Sequence, residues 1–421
     1  MSSGRQRQAA IYRAGAVGRR PVVPVGYAAL KRRARRSLSR AAFDYVAGGA
    51  GVESTVRANR AAFERRRIVP RMLVDVAERD TAVTVLGRRL PTPLLLAPVG
   101  ALEIVHRQAD VAVARAAAAE GVPVVFSTQA SRPLEQCAAA MGDGPRWFQL
   151  YWSSSDDLVR SFVARAEATG CDAIVVTLDT TMLGWRTRDL NRAYLPFAHG
   201  HGIAQYTSDP VFRRLVDDRL AHPQPRERPR PAPAAVRTLV DLARAHPGAF
   251  LRNLRSPRPV AAVETFLDVF SRPTLAWPDL AHLRELTTLP IVLKGILHPD
   301  DAAHAVDAGV DAVVVSNHGG RQVDGAVGAL DALPDVVAAV AGRLPVLFDS
   351  GVRTGADVVK ALALGASAVL VGRPYVYGLA VAGETGVREV IRNLAADLDL
   401  TMGLAGCRRV GDLGPEVVRT R

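Results

Sequence analysis

The sequence carries four short apolar runs in its last third: Pro290–Lys294 (PIVLK), Ala312–Ser316 (AVVVS), Pro345–Asp349 (PVLFD) and Ala368–Gly372 (AVLVG). Each run ends in a polar or small residue, and helical patterns such as Ala356–Leu364 lie between the runs. Gly309 and Gly365 stand where two of these helices would end. Apolar residues continue through each run instead of alternating, which indicates strands covered on both faces, as in parallel sheets.

The same succession of apolar runs and helical patterns begins near residue 90. Four earlier runs have the same character: Pro93–Pro98 (PLLLAP), Val122–Ser127 (VPVVFS), Trp147–Tyr151 (WFQLY) and Ala173–Thr177 (AIVVT). No glycine-rich dinucleotide fingerprint follows the first strand, which disfavours a doubly wound sheet. About eight strand–helix units in succession predict an α/β protein with a (β/α)₈ TIM barrel.

The barrel is expected to cover residues 91–405, after a lead-in of residues 1–90 that packs on it and before a tail of residues 406–421. The lead-in has a helical pattern from Gly26 to Val46. The interval between Thr177 and Pro290 is too long for one helix, so the fourth βα loop is expected to hold an insertion over about residues 184–273. The insertion contains a Pro/Arg-rich tract, His222–Pro233, and lies where barrels keep their chemistry, which favours a lid or an interaction loop.

The charge is strongly basic, with 54 Lys and Arg against 41 Asp and Glu in 421 residues, a formal net charge of +13. Nearly all of the cations are arginines, and the lysines are Lys31, Lys294 and Lys360. The densest basic run, at Lys31–Arg36, has no interleaved aromatic residues, which favours a solvated helix face over a nucleic-acid site. We therefore expect no nucleic-acid partner.

Neither a membrane span nor a secretory signal is expected, because no apolar stretch is long enough and no apolar segment follows the charged amino terminus. Cys137, Cys171 and Cys407 are far apart and odd in number. This pattern favours a reducing compartment, with cytoplasmic location and no metal site.

Chemistry-bearing residues concentrate at the predicted carboxyl ends of the strands, where barrels of this kind hold their active sites. The last two strand ends predict a phosphate site, because backbone N–H groups at Gly351 and Gly372 could approach an anion and Arg353 and Arg373 could bind it. Asp349 suits a hydroxyl partner such as a ribityl chain.

Residues Ser316–Gly325 (SNHGGRQVDG) resemble the active-site signature of the FMN-dependent 2-hydroxy acid oxidase and dehydrogenase family. The similarity extends over most of the chain, in order, through FDYVAGGA at Phe43–Ala50, LAPVG, WFQLYW, VVTLDT, PIVLKG, FDSGVRTGADVVKALALGA and GRPYVYGLA. The resemblance implies a TIM barrel that binds FMN at the carboxyl ends of its strands.

The resemblance implies that His318 is the catalytic base facing substrate C2 and that Asp179 orients its ring. It also implies that Arg321 and Arg186 hold the substrate carboxylate. Whether the hydrogen on C2 leaves as a proton to His318 or as a hydride to flavin N5 stays open at this point.

By the same resemblance, Tyr45 reaches the carboxylate, Tyr151 lies near the substrate hydroxyl, and Lys294 lies near flavin N1–O2, where a fixed positive charge favours reduction. The main chain of the segment after the first strand would approach N5. The remaining flavin contacts complete the implied site: Pro98, Val99, Gly100, Ser127, Gln149, Thr177, Ser316, Asp349, Gly351, Arg353, Gly372 and Arg373.

Three features favour the lactate 2-monooxygenase subgroup. Gly100 is small and would leave extra space beside flavin N5, Ser350 stands in FDSGVRTG, and the long segment Arg188–Phe212 resembles that subgroup's extended lid. The expected reaction is L-lactate oxidation with O₂ to acetate, CO₂ and water. Two alternatives remain, an oxidase that releases keto acid and H₂O₂ and a dehydrogenase that passes electrons to a quinone or cytochrome. A homotetramer or larger assembly is also expected by resemblance.

Overall fold

The computed structural model describes residues 3–222 and 232–420, and its centre is a closed barrel of eight parallel strands. The barrel is formed by β4 to β11, each hydrogen-bonded to its neighbours in sequence, with β11 returning to β4. The predicted (β/α)₈ barrel is therefore confirmed. The strands are β1 Arg66–Ile68, β2 Val83–Val85, β3 Arg88–Leu90, β4 Leu94–Leu96, β5 Val124–Phe126, β6 Arg146–Leu150, β7 Ile174–Thr177, β8 Ile291–Ile296, β9 Ala312–Val315, β10 Val346–Phe348, β11 Ala368–Val371 and β12 Val418–Thr420.

Helices surround the barrel, and further helices lie before its first strand, β4, and after its last strand, β11. Short 3₁₀ turns lie at Leu102–Ile104, Pro196–His199, Val410–Asp412 and Pro415–Val417. The α-helices are α1 Gly4–Ala16, α2 Tyr27–Ser37, α3 Arg40–Ala47, α4 Ser54–Arg65, α5 Ala109–Glu120, α6 Leu134–Met141, α7 Asp156–Ala168, α8 Thr187–Asn191, α9 Ala204–Ser208, α10 Pro210–Ala221, α11 Pro233–Ala245, α12 Phe250–Leu254, α13 Arg258–Val269, α14 Asp279–Leu286, α15 Pro299–Asp307, α16 Ala329–Val340, α17 Gly355–Ala363 and α18 Arg373–Ala405.

Alternate residues of each barrel strand point inward and outward, and both sets are buried. Leu95, Val175 and Leu347 belong to the cluster inside the barrel, whereas Leu96, Val176 and Phe348 pack outward in the main core against the helices. Two-sided burial explains the unbroken apolar runs in the sequence. The hairpin β2–β3 joins the inner cluster through Val83, Val85, Leu86 and Leu90.

The lead-in differs from its sequence pattern, because the helix predicted from Gly26 to Val46 is two helices, α2 and α3. The chain leaves the first helix at Leu38, and the Ser39 side chain then accepts a hydrogen bond from Ala42 N and begins the second. A serine in this position caps the unsatisfied N–H groups of a new helix start. The break places α3 and its Tyr45 over the barrel mouth.

The long segment between β7 and β8 confirms the insertion in the fourth βα loop. Its residues pack on the barrel through aromatic rings: Tyr206 lies 5.1 Å from Phe162 of α7 and 4.8 Å from Phe266 of α13, measured between ring centroids. Phe197 continues the cluster to Tyr45 at 6.4 Å. Most of the Pro/Arg-rich tract, residues 223–231, lies outside the described residues.

The carboxyl-terminal strand β12 pairs antiparallel with β1, which ties the predicted tail to the predicted lead-in. Among the described residues, no helix is both long and apolar enough to cross a membrane.

Helix α18 changes direction at Ala382 and Gly383, and its two halves touch through Gly378 and Gly386. A Cβ at Gly386 would lie 1.9 Å from the carbonyl oxygen of Gly378. We predict that Gly386→Ala lowers the free energy of unfolding by about 1–3 kcal/mol, because the backbones must separate. The measurement is the midpoint of thermal unfolding under fixed solution conditions.

The matched control is Gly15→Ala, at a helical glycine whose added Cβ meets nothing within 4 Å. There we expect unchanged or slightly raised stability, because alanine favours helix. Equal stability of Gly386→Ala and the wild type would contradict the close contact.

Candidate active site

His318 lies in a left-handed turn directly after β9. His318, Gly319 and Gly320 have φ values of 56°, 64° and 74°, and the first is unusual for a residue with a side chain. Three side-chain oxygens hold the turn: Ser316 Oγ accepts from His318 N at 3.1 Å, Ser350 Oγ from Gly319 N at 2.9 Å, and Asn317 Oδ1 from Gly320 N at 3.1 Å. Such enforced conformations concentrate at functional sites.

A carboxylate orients the His318 ring. Nδ1 of His318 lies 2.7 Å from Asp179 Oδ1, and the Thr180 hydroxyl donates to the same carboxylate oxygen at 3.0 Å. Burial raises the pKa of Asp179, but His318 and Lys294 outweigh burial and lower it to about 2. Burial lowers the pKa of His318 despite Asp179. The resting pair is therefore a carboxylate and a neutral imidazole that donates from Nδ1, which leaves Nε2 free to accept a proton.

Two arginines lie near each other beside the histidine. Among the described residues neither has a carboxylate within ion-pair distance, although Asp189 interacts electrostatically with both. Within the described residues, their hydrogen bonds go to uncharged oxygens: Arg186 donates to Arg321 O and to Gln322 Oε1, and Arg321 donates to the carbonyls of Tyr45 and Gly48. Burial and the neighbouring Arg186 lower the pKa of Arg321 to about 9. A bound carboxylate would relieve this unfavourable concentration of positive charge.

Two tyrosines border the same space. The Arg321 guanidinium carbon lies 5.0 Å from the centroid of the Tyr45 ring, which fixes that ring against the cation. Tyr151 is buried after β6, and burial, with the charge of Asp179, raises its pKa. Its hydroxyl therefore keeps its proton and can donate a hydrogen bond to a substrate oxygen.

Lys294 is buried at the carboxyl end of β8. Its Nζ donates to Ser316 Oγ at 2.9 Å and lies 3.1 Å from Asp349 Oδ2. Burial opposes the charge, but Asp349 and Asp179 outweigh it and raise the pKa of Lys294. The lysine therefore remains a fixed cation in the pocket wall.

Three predicted residues form a buried chain behind the pocket. Ser127 Oγ donates to Gln149 Oε1 at 2.7 Å, and Gln149 Nε2 donates to Thr177 Oγ1 at 2.8 Å. The chain crosses the ends of three adjacent strands, β5, β6 and β7. It fixes the orientation of the Gln149 amide.

The last two strand ends form a cationic corner at the start of α18. Gly372 precedes the helix without a side-chain cap, and a Cβ there would meet only Ala97 and Val99, at 3.8 and 4.0 Å. Arg373 donates to the carbonyls of Val46, Gly48 and Gly319. Open space at an uncapped helix start beside arginine suits a phosphate group.

Gly100 does not leave open space. A Cβ on Gly100 would lie 2.9 Å from the Gln129 Cβ and 3.0 Å from the Gln129 carbonyl oxygen. The expectation that this glycine enlarges the pocket is therefore wrong, because Gln129 of the next strand loop fills the space. The glycine permits that close approach.

Most of the predicted site residues line one pocket, and the remaining predicted residues lie behind that lining. Asp179, Ser127, Gln149, Thr177 and Ser316 support the lining from behind through the hydrogen bonds above. Four further lining residues were not predicted, although each closely follows a predicted strand end: Gln129, Thr180, Leu183 and Val352. The predicted lining residues are Tyr45, Pro98, Val99, Gly100, Tyr151, Arg186, Lys294, His318, Arg321, Asp349, Gly351, Arg353, Gly372 and Arg373.

Comparison with known families decides the assignment. The profile of the family described as FMN-dependent dehydrogenase matches residues 34–420. The chain belongs to the FMN-dependent dehydrogenase family. It is an FMN-dependent oxidoreductase of 2-hydroxy acids, as its sequence resemblance predicted.

Individual relatives in this family are similar over nearly their whole length. An L-lactate oxidase of Lysinibacillus sphaericus (strain C3-41) is 40% identical over 390 residues, which cover 93% of this chain and 91% of the relative. An FMN-dependent alpha-hydroxy acid dehydrogenase of Penicillium citrinum is 42% identical over 413 residues, 98% and 95% of the two chains. A crystal structure of mandelate oxidase with (S)-4-hydroxymandelic acid has a TM-score of 0.77 and 39% identity, and covers 94% of this chain and 99% of its own.

The residues present fit FMN. The unfilled space at Gly372, with Arg373 and Arg353 beside it, would hold the phosphate. Asp349 and Ser316 would hold the ribityl hydroxyls, and the fixed Gln149 amide would face the isoalloxazine edge. Lys294 would supply the positive charge in the wall.

Proposed function

We propose that this member of the FMN-dependent dehydrogenase family oxidises L-2-hydroxy acids at C2, with O₂ as the electron acceptor and L-lactate as the simplest substrate. One observation carries the proposal: the free Nε2 of His318 lies in the same pocket as two guanidinium groups whose hydrogen bonds, among the described residues, go only to uncharged oxygens. The names of the relatives support the same substrate class, since they include an L-lactate oxidase and a mandelate oxidase.

The pocket residues have separate roles in the proposed reaction. Arg186 and Arg321 bind the substrate carboxylate, for which planar guanidinium groups offer paired donors. Tyr151 donates to the C2 hydroxyl oxygen, and His318 Nε2 accepts a proton from the substrate. Asp179 stabilises the imidazolium that results. FMN, when bound, supplies the two-electron acceptor.

The product depends on how long the oxo acid stays in the pocket. The segment between β7 and β8 covers the site: Leu183 and Arg186 line the pocket, and Phe197 packs on Tyr45. This cover, with the carboxylate held by Arg186 and Arg321, supports retention until newly formed peroxide reacts with the oxo acid. The balanced reaction is lactate plus O₂ to acetate, CO₂ and water. The competing outcome, pyruvate plus H₂O₂, is supported by the L-lactate oxidase relative.

A product assay under air distinguishes these outcomes. The purified enzyme is given L-lactate in the presence of catalase, which removes free peroxide before it can decarboxylate free pyruvate. Acetate in proportion to the O₂ consumed is expected. Stoichiometric pyruvate would reject the monooxygenase reaction and leave the oxidase. Turnover with an artificial acceptor but not with O₂ would indicate a dehydrogenase.

The pKa shifts predict an acidic limit to activity. Because burial lowers the pKa of His318 below its usual 6.5, kcat/KM should remain high at neutral pH and fall only as His318 is protonated at lower pH. Asp179 raises the pKa of His318, so Asp179→Asn should move the acidic limb to lower pH and reduce the plateau by roughly 10²- to 10⁴-fold. The measurement is the pH profile of kcat/KM, and a limb that moves upward would contradict the pairing.

A further inference from the structure

The Gln129 side chain is buried in the pocket with an unused hydrogen-bond donor. Gln129 follows β5 by three residues, is 6% exposed, and lines the pocket together with Tyr151 and His318. Its Nε2 has no hydrogen-bond partner among the described residues. Buried amides normally have partners, so an unpaired one in a ligand pocket points to a ligand group that completes it.

The main chain around this amide is held from several sides. Gln129 O accepts from Ala101 N at 2.9 Å, and Gln129 N donates to Ser127 Oγ at 3.0 Å. The adjacent Thr128 hydroxyl accepts from Tyr151 N at 3.0 Å. From the insertion, a Cβ at Gly202 would lie 2.9 Å from Gln129 O. The amide is therefore carried by a rigid segment, as a preorganised contact requires.

Neither the charge of the substrate nor packing against Gly100 requires a glutamine at position 129. The carboxylate of the substrate already has Arg186 and Arg321, and a leucine would pack against Gly100 without leaving a polar group unpaired. A neutral amide both donates and accepts hydrogen bonds, which complements an uncharged hydroxyl or amide.

We propose that Gln129 determines specificity by binding an uncharged hydrogen-bonding group, a hydroxyl or amide, on the side chain of the 2-hydroxy acid. This inference rests on the proposed function, since it names the substrate class of the same site. L-Lactate remains a substrate, but it leaves the amide unpaired.

Matched substrate pairs test the proposal on the FMN-loaded enzyme. One pair is L-glycerate and L-2-hydroxybutyrate, in which a hydroxyl replaces a methyl group. The other is L-malamate, the 4-amide of malate, and L-2-hydroxy-4-methylpentanoate. The wild type should favour the polar member in kcat/KM by about 10- to 100-fold, the range for one buried hydrogen bond. Gln129→Leu should abolish or reverse the preference within each pair.

Gln136→Leu makes the same change at an exposed glutamine and should retain the preference. Gln129→Met is the second variant if the leucine protein is unstable. An unchanged preference in folded, FMN-loaded Gln129→Leu would overturn the proposal. Equal losses for all substrates together with weaker FMN retention would also overturn it, because Gln129 would then contact the cofactor. If no 2-hydroxy acid reduces the wild-type flavin, the proposed function itself fails.

Discussion

His318→Ala should lower kcat for L-2-hydroxy acids by roughly 10³- to 10⁴-fold, the range for loss of a positioned general base. The imidazole is the group in the pocket that combines a free Nε2 with a carboxylate on Nδ1. FMN should remain bound, because Gly372, Arg353 and Arg373, which would hold the phosphate, are unchanged in this variant. The measurement is steady-state O₂ consumption, with flavin content determined from the visible spectrum.

His282→Ala is the control, since His282 lies on the outer helix α14 and its nearest acid is Glu285 on the same helix. It should retain wild-type turnover and flavin content. Near-normal kcat in FMN-loaded His318→Ala would remove the base from the mechanism.

Arg321→Met should lower kcat/KM for L-lactate by about 10²- to 10³-fold, the effect of removing one partner from a buried charge pair. If Arg321 binds the carboxylate equally strongly in the ground state and in the transition state, the loss should appear mainly as a higher KM. Arg321→Lys should recover part of the loss, because an ammonium restores charge but not paired donors. Kinetics across a range of L-lactate concentrations separates the two parameters.

Arg192→Met is the control, since Arg192 lies in the insertion between β7 and β8 and is paired with Asp44 outside the pocket. It should leave KM unchanged. An Arg321→Met enzyme with wild-type KM and kcat would show that the carboxylate binds elsewhere.

The barrel could be predicted from sequence because parallel strands bury both faces and therefore read as unbroken apolar runs. The helix break at Ser39 was missed, since the apolar pattern continues across it and only the capping hydrogen bond marks the new start. The boundaries of the lead-in, insertion and tail, the cytoplasmic location and the homotetramer stay predictions.

The site could be predicted where a strand end carries an ionisable residue, as at Lys294 and His318. Gln129 and Thr180 were missed because neutral side chains give no such signal, although their positions after β5 and β7 place them at the mouth. The effect of Gly100 was not accessible from sequence, because the group that fills its space comes from a different loop.

Anaerobic reduction tests the central claim most directly, namely that this pocket brings FMN and an L-2-hydroxy acid together. The visible spectrum of the purified protein is recorded before and after L-lactate is added without O₂, with D-lactate as the control. The account predicts a yellow protein whose flavin absorbance is bleached by the L isomer and not by the D isomer. A colourless protein that does not take up FMN, or a flavin that no L-2-hydroxy acid bleaches, would contradict it.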